Sequence, residues 1–210
     1  MRASLCEDAL RLGRMLAEIL PEESEVHGLL ALMELQASRT AARRGPTGEA
    51  VLLSEQDRSL WDHAQIERGM AALQRAQQLG GGAHSYALQA AIAACHARAY
   101  TAAETDWERI VLLYDALLQI SPSPIVALNR AVAVGMAHGP AAGLHALDAL
   151  AAEQALANYH LLPSVRGDLL MKLGRYAEAR EELQRALAMT DNVREHELLS
   201  RKLKQAMFID

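Results

Sequence analysis

The chain of 210 residues predicts an all-α fold built from stacked helical hairpins. Composition points there first: 51% of the residues are hydrophobic but only 4% are aromatic, with a single Phe. A core must then be assembled from Ala, Leu, Ile, Val and Met. Ala, Leu and Met lose little side-chain freedom in a helix, whereas strands draw on β-branched and aromatic residues. The second observation is that apolar residues recur at three- and four-residue steps, the period of one helix face. The third is that Gly- and Pro-rich turns punctuate these runs at short intervals, with no alternating strand pattern between them.

Taken in order, residues 4–20 read as a helix whose apolar face is Leu5, Ala9, Leu12, Leu16 and Leu20, stopped by Pro21. A second helix runs over 22–43 with Val26, Leu29, Leu30, Met33 and Ala37 on one side. Gly45-Pro46-Thr47-Gly48 opens a non-periodic excursion over 45–56. Ser54 to Asp57 has the spacing of a capping box, a hydroxyl followed three residues later by a carboxylate. The third helix covers 57–79, broken near Trp61, and ends at Gly80-Gly81-Gly82. The fourth, 85–98, is rich in Ala, so a neighbouring helix can approach closely. Thr105 to Glu108 is a second capping-box pattern and opens a helix to Ile120. Ser123 precedes Pro124 as a cap precedes a first-turn proline. Further helices follow at 124–137, 140–152, 161–173, 176–189 and 192–207, about ten in all.

The last hairpin carries a repeat grammar. Gly174 at a turn is followed by Tyr176, Ala179, Leu183 and the pair Ala186-Leu187, with Gly167 and Leu170 in the preceding helix. This pattern resembles the tetratricopeptide repeat, whose unit is about 34 residues. Gly139 precedes Gly174 by about one such unit, and Tyr114, Leu117, Leu118 and Pro122 repeat the aromatic, apolar and proline positions. Leu16, Ala76, Leu117, Ala151 and Ala186 are the expected equivalent packing positions. The fold expected is a single tetratricopeptide-like superhelix over 1–210. Its parts are a first hairpin 4–43, a loop 45–56, a second hairpin 57–98, middle repeats 105–152, and a last repeat with a capping helix to Phe208 over 161–208. Hairpins of this kind bury their faces only by stacking, and the stack leaves a concave surface suited to another protein segment.

Charge and motifs narrow the function. The net charge is −5, and no long Lys/Arg run supplies the basic face that phosphate neutralisation requires, so direct nucleic-acid binding is not expected. Two cysteines, Cys6 and Cys95, lie far apart without CxxC spacing, which suits a reducing cytoplasm. No apolar run approaches the roughly 20 residues of a membrane span, and the N-terminus lacks the apolar stretch of a signal peptide. The eight histidines form neither HExxH nor a Cys/His zinc pattern, Gly80-Gly81-Gly82 lacks a following Lys-Ser/Thr, and no GxSxG elbow occurs. Neither an enzyme nor a cofactor is expected. The remaining polar residues in apolar surroundings are candidates for partner binding: Asp57, Arg58, Trp61, Asp62, Gln89, His96, Asp106, Trp107, Asn129 and Arg130. Arg and Trp are frequent interface anchors.

Several of these residues sit in longer motifs: Leu32-Met33-Glu34-Leu35 with Ala41 and Arg43, Gln56 to Asp62, Leu88 to Ala97, Thr105-Asp106-Trp107, and Ser123 to Ala133. Over nearly the whole chain they resemble the C-terminal tetratricopeptide-like extension of a group of bacterial extracytoplasmic-function sigma factors. The resemblance implies a regulatory role in transcription initiation. Its expected partners are the sigma domains of the same full-length protein or RNA polymerase, and also a peptide or small regulatory protein. The sigma domains themselves are missing from these 210 residues. A stand-alone tetratricopeptide adaptor that binds a peptide or partner protein is the alternative expectation.

Overall fold

The computed structural model describes residues 3–46 and 48–207; Thr47 of the predicted turn and Phe208 of the predicted cap lie outside the described residues. Ten α-helices form among the described residues, with short 3-10 turns at 41–43, 53–55, 58–60, 102–104 and 154–156, and no strand is present among those residues. The helices are α1 (Ala3–Ile19), α2 (Ser24–Ala37), α3 (His63–Gln78), α4 (Ser85–Arg98), α5 (Trp107–Ile120), α6 (Pro124–Ala137), α7 (Pro140–Asp148), α8 (Leu161–Lys172), α9 (Tyr176–Ala188) and α10 (Val193–Met207). They fall into two compact units, Met1–Ser121 and Pro122–Asp210. The division lies inside the stretch read as middle repeats.

In the first unit α2 is the central helix, packed on α1, α3 and α4, and α4 also carries α5. Small residues set the spacing. A Cβ on Gly28 would lie 2.8 Å from the backbone nitrogen of Ala87, so α2 and α4 touch almost backbone to backbone. Ala31, Leu35, Trp61, Leu73, Ala76, Ala87, Ala90 and Ala94 form the core around them. The face of α1 picked out by its leucine period is not the buried one. Leu10, Gly13 and Ala17 face inward, and Leu5, Leu12 and Leu16 are exposed. Periodicity finds an apolar face but does not say which neighbour exists to cover it.

Helix α2 stops at Ala37, six residues before the sequence pattern suggests. The Ser38 hydroxyl donates to the Leu35 carbonyl at 2.8 Å, and the Arg43 guanidinium donates to the Gln36 carbonyl at 3.1 Å. Both satisfy carbonyls that a continuing helix would have used. The excursion after it is ordered by an isolated antiparallel bridge between Arg44 and Ala50.

The predicted capping boxes shift by residue. Ser54 lies in a short 3-10 turn, and the side chains that cap are Asp57, accepting from the Ser59 amide, and Asp62, accepting from the Gln65 amide at the start of α3. Likewise Asp106, not Thr105, caps α5 by accepting from the Arg109 amide at 2.9 Å. Pro124 does open α6, but the Ser123 side chain makes no cap bond.

In the second unit α6 pairs with α7, α8 with α9, and α10 lies on α9. The Gly174 turn matches its sequence reading: its φ is +72°, and the next amide, of Arg175, donates back to the Leu170 carbonyl at 3.0 Å. Positive φ costs glycine nothing and a side chain about 1 kcal/mol or more. Lys202 of α10 reaches Asp168 of α8 at 2.5 Å, and Leu199 and Ala206 enter the core formed with Leu183 and Ala186, so the last helix caps the last hairpin. Ala76, Leu117 and Ala186 are buried as the repeat predicts, whereas Leu16 and Ala151 are exposed. Ala151 misses its place because α7 ends at Asp148.

Candidate functional site

The first unit holds one dense polar and aromatic cluster, centred on Arg58. Asp57 starts it. Its carboxylate accepts from the Ser59 amide at 2.9 Å and the Ser59 hydroxyl at 2.7 Å, bonds that hold its pKa below the usual range. They fix the tight turn Arg58–Leu60, and that turn aims Arg58 away from its own segment. The Asp62 amide then donates to the Ser38 carbonyl at 2.8 Å, tying the entry of α3 to the end of α2.

From this anchored turn the Arg58 guanidinium spans to α4 and the segment beyond it. It donates to the carbonyls of His96 and Ala99, the latter at 2.8 Å, and to the Thr105 hydroxyl at 3.3 Å. The two carbonyls stand at the C-terminal end of α4, where the helix leaves acceptors unfilled and its dipole favours a cation. Partial burial pulls the Arg58 pKa down, while Glu104 opposes that shift. The guanidinium also lies over the Trp61 ring, 4.9 Å from its centroid. Trp61 is only 4% exposed, and its indole nitrogen is buried with no hydrogen-bond partner. It is a core residue as much as a site residue.

His96 joins the cluster from the other side. Its ring meets Trp107 edge-on, centroids 5.2 Å apart and planes at 76°. Burial, with Arg39 and Arg58 nearby, pushes its pKa down to about 4, so it is neutral at physiological pH. Burial and Arg43 likewise lower Arg39 to about 10, which leaves it charged. Arg39 and Arg43 both donate to the Gln36 side chain. Cys95 beside His96 is a free thiol whose pKa burial raises, the opposite of an activated nucleophile.

A cavity of about 430 Å³ opens beside the cluster. Buried Trp61 and Ile66 line it together with Arg58 and the exposed His63, Arg98 and Tyr100. Its lining holds cations and donors but no carboxylate. A volume in the range of about 300–1,000 Å³ is that of a ligand or side-chain pocket.

Arg58, Trp61, His96 and Trp107 are therefore brought together, with Asp57, Asp62 and Asp106 at the turns and helix starts that position them. Gln89 stands apart on α4 and donates to the Ser85 carbonyl and hydroxyl. Asn129 and Arg130 belong to α6 of the second unit, Asn129 exposed and Arg130 half-buried. Sequence reading did not single out Arg39, Thr105 or Glu34 as site residues. Glu34 is 1% exposed and accepts from Arg14 at 2.7 Å, with Arg68 at 3.5 Å. The signal for Glu34 was a lone carboxylate inside the apolar run Leu29 to Leu35. Among the described residues no group of three or more His, Cys, Asp or Glu could hold a metal ion, and no helix is long and apolar enough to cross a membrane.

Residues 1–77 match a family of unknown function, DUF6596. An uncharacterized protein of Rhizobium meliloti (strain 1021) is 45% identical over 197 residues, which is 92% of this chain and 45% of that protein. The chain thus spans less than half the length of the relative it matches, and it is similar to these two without taking a function from either.

Proposed function

We propose that this chain is the regulatory, protein-interacting part of an extracytoplasmic-function sigma factor and controls transcription initiation by RNA polymerase in the cytoplasm. The observation that carries the reading is the convergence on Arg58. The motifs behind the sigma-factor resemblance lie at 56–62, 88–97 and 105–107, and residues of all three meet in that cluster. A bare helical array needs no such network, because hairpin packing alone stabilises it. The cluster holds the turn 58–60 and the start of α3 against the end of α4, which sets the shape of the surface a partner would meet. The expected partners are the sigma domains of the same polypeptide or RNA polymerase, and the greater length of the Rhizobium relative is compatible with a multidomain context.

A transcription assay tests this. The full-length protein, with and without residues 1–210, is given its promoter and core polymerase. A change in promoter-dependent transcript is expected, and unchanged activity after deletion counts against the reading.

The cavity beside Trp61 favours a second reading, an adaptor that takes a peptide terminus. Arg58, Arg98 and His63 around an apolar floor suit a C-terminal carboxylate. Fluorescence anisotropy with a labelled peptide bearing a free C-terminal carboxylate, against its amidated form, separates the two. Equal or absent binding of both peptides removes the adaptor reading.

A further inference from the structure

Helix α1 carries two apolar faces, and only one of them is used. Leu10, Gly13 and Ala17 pack toward α2, where a Cβ on Gly13 would lie 3.2 Å from the Met33 sulfur. The other face is Leu5, Ala9, Leu12, Leu16 and Ile19, all exposed, with Leu5 at 61%, Leu12 at 60% and Ile19 at 70%. Steps of four, three, four and three residues are the seam spacing of one helix lying along another. A helix at the outer end of a repeat array normally turns a polar face to water. This one turns a leucine seam four turns long, about 21 Å.

The geometry points to α1 as the docking surface for an amphipathic helix from elsewhere in the same, longer polypeptide, so that α1 is an interior helix of a larger array. Two observations choose this occupant. The Rhizobium relative has more than half of its length beyond the region aligned with this chain, so chain is available there to supply the helix. The seam is also short. A stable bimolecular interface buries roughly 800 Å² per partner, more than one helix face of this length offers. A tether raises the effective concentration to the millimolar range and makes a small seam sufficient. The inference shares with the proposed function the premise of a longer polypeptide, but it concerns a different face and nothing in it depends on transcription.

Amide hydrogen exchange over residues 5–20 tests it, comparing the 210-residue chain with the full-length polypeptide that contains it. Exchange at least tenfold slower in the full-length protein is expected. Leu12→Glu in the full-length protein should return α1 to the rates of the isolated chain, while Leu12→Glu in the isolated chain leaves its melting temperature unchanged, since residue 12 is in water there. Equal rates in both proteins overturn the proposal. So does an isolated chain that sediments as a dimer dissociated by Leu12→Glu, which gives the seam to a second copy. A reading frame of only these 210 residues overturns it as well. Because exchange reads docking and not transcript, either this inference or the proposed function can fail alone.

Discussion

Arg58 is drawn across the face of Trp61, and in that position its nitrogens reach carbonyls at the end of α4. One side chain thus joins the tight turn ahead of α3 to the helix that follows it. The planar fork of arginine suits this, since it stacks on the ring and donates in several directions at once.

Arg58→Lys is expected to lower stability by about 2 kcal/mol, because an ammonium cannot stack and bridge together. Arg58→Ala should cost more, since the His96 and Ala99 carbonyls lose their donor. Urea unfolding checks both: the midpoint should fall with an unchanged slope.

His96 makes stability depend on pH. Its pKa is near 4 folded and 6.5 in the reference state, so the unfolded chain binds the proton first as pH falls. The contribution is therefore fully present above pH 6.5 and is lost as pH drops from 6.5 to 4, by about 3 kcal/mol at most. His96→Phe keeps a ring against Trp107 and should flatten this slope. The check is the melting temperature of both proteins at pH 7.5, 5.5 and 4.5.

Glu34 and Arg14 form a pair with one partner inside the core. Removing only the half-exposed arginine leaves the carboxylate buried with Arg68 as its remaining partner, so Arg14→Met should destabilise by about 2 kcal/mol. Arg14→Met with Glu34→Leu should recover most of that loss. A double-mutant cycle in urea measures the coupling, and additive losses would show that the pair does not act as a unit.

Glycines in the second unit separate crowding from backbone strain. A Cβ at Gly167 would lie 2.8 Å from Leu183, a fully buried side chain, so Gly167→Ala should cost about 1–3 kcal/mol. Gly174→Ala meets nothing within 4 Å, yet its φ of +72° should cost about 1 kcal/mol. In the first unit Gly82→Ala has neither problem and should be neutral within ~0.5 kcal/mol. Thermal unfolding of the three variants gives the order directly.

The amino-acid sequence carried the existence of the helices, though not every end of them. Ala-, Leu- and Met-rich runs between Gly and Pro punctuation leave little else for the backbone to do, and α4 and α6 occur at the bounds their patterns predict. It also determined the turn at Gly174, because a positive φ selects glycine locally. The cap of α5 was legible to within a residue, since Asp and Thr neighbours compete for the same amide and only the backbone path into Asp106 chooses between them, whereas the cap of α3 fell at Asp62, eight residues past the box read at Ser54. Tertiary structure decided what depends on residues far apart in the chain. Nothing around Arg58 in sequence names Ala99 or Thr105 as its partners, and nothing near Trp107 names His96. Burial of His96 among Arg39 and Arg58 is likewise a product of three segments meeting. The two faces of α1 make the same point from the other side: both have a helical period, and which one is buried depends on where α2 lies.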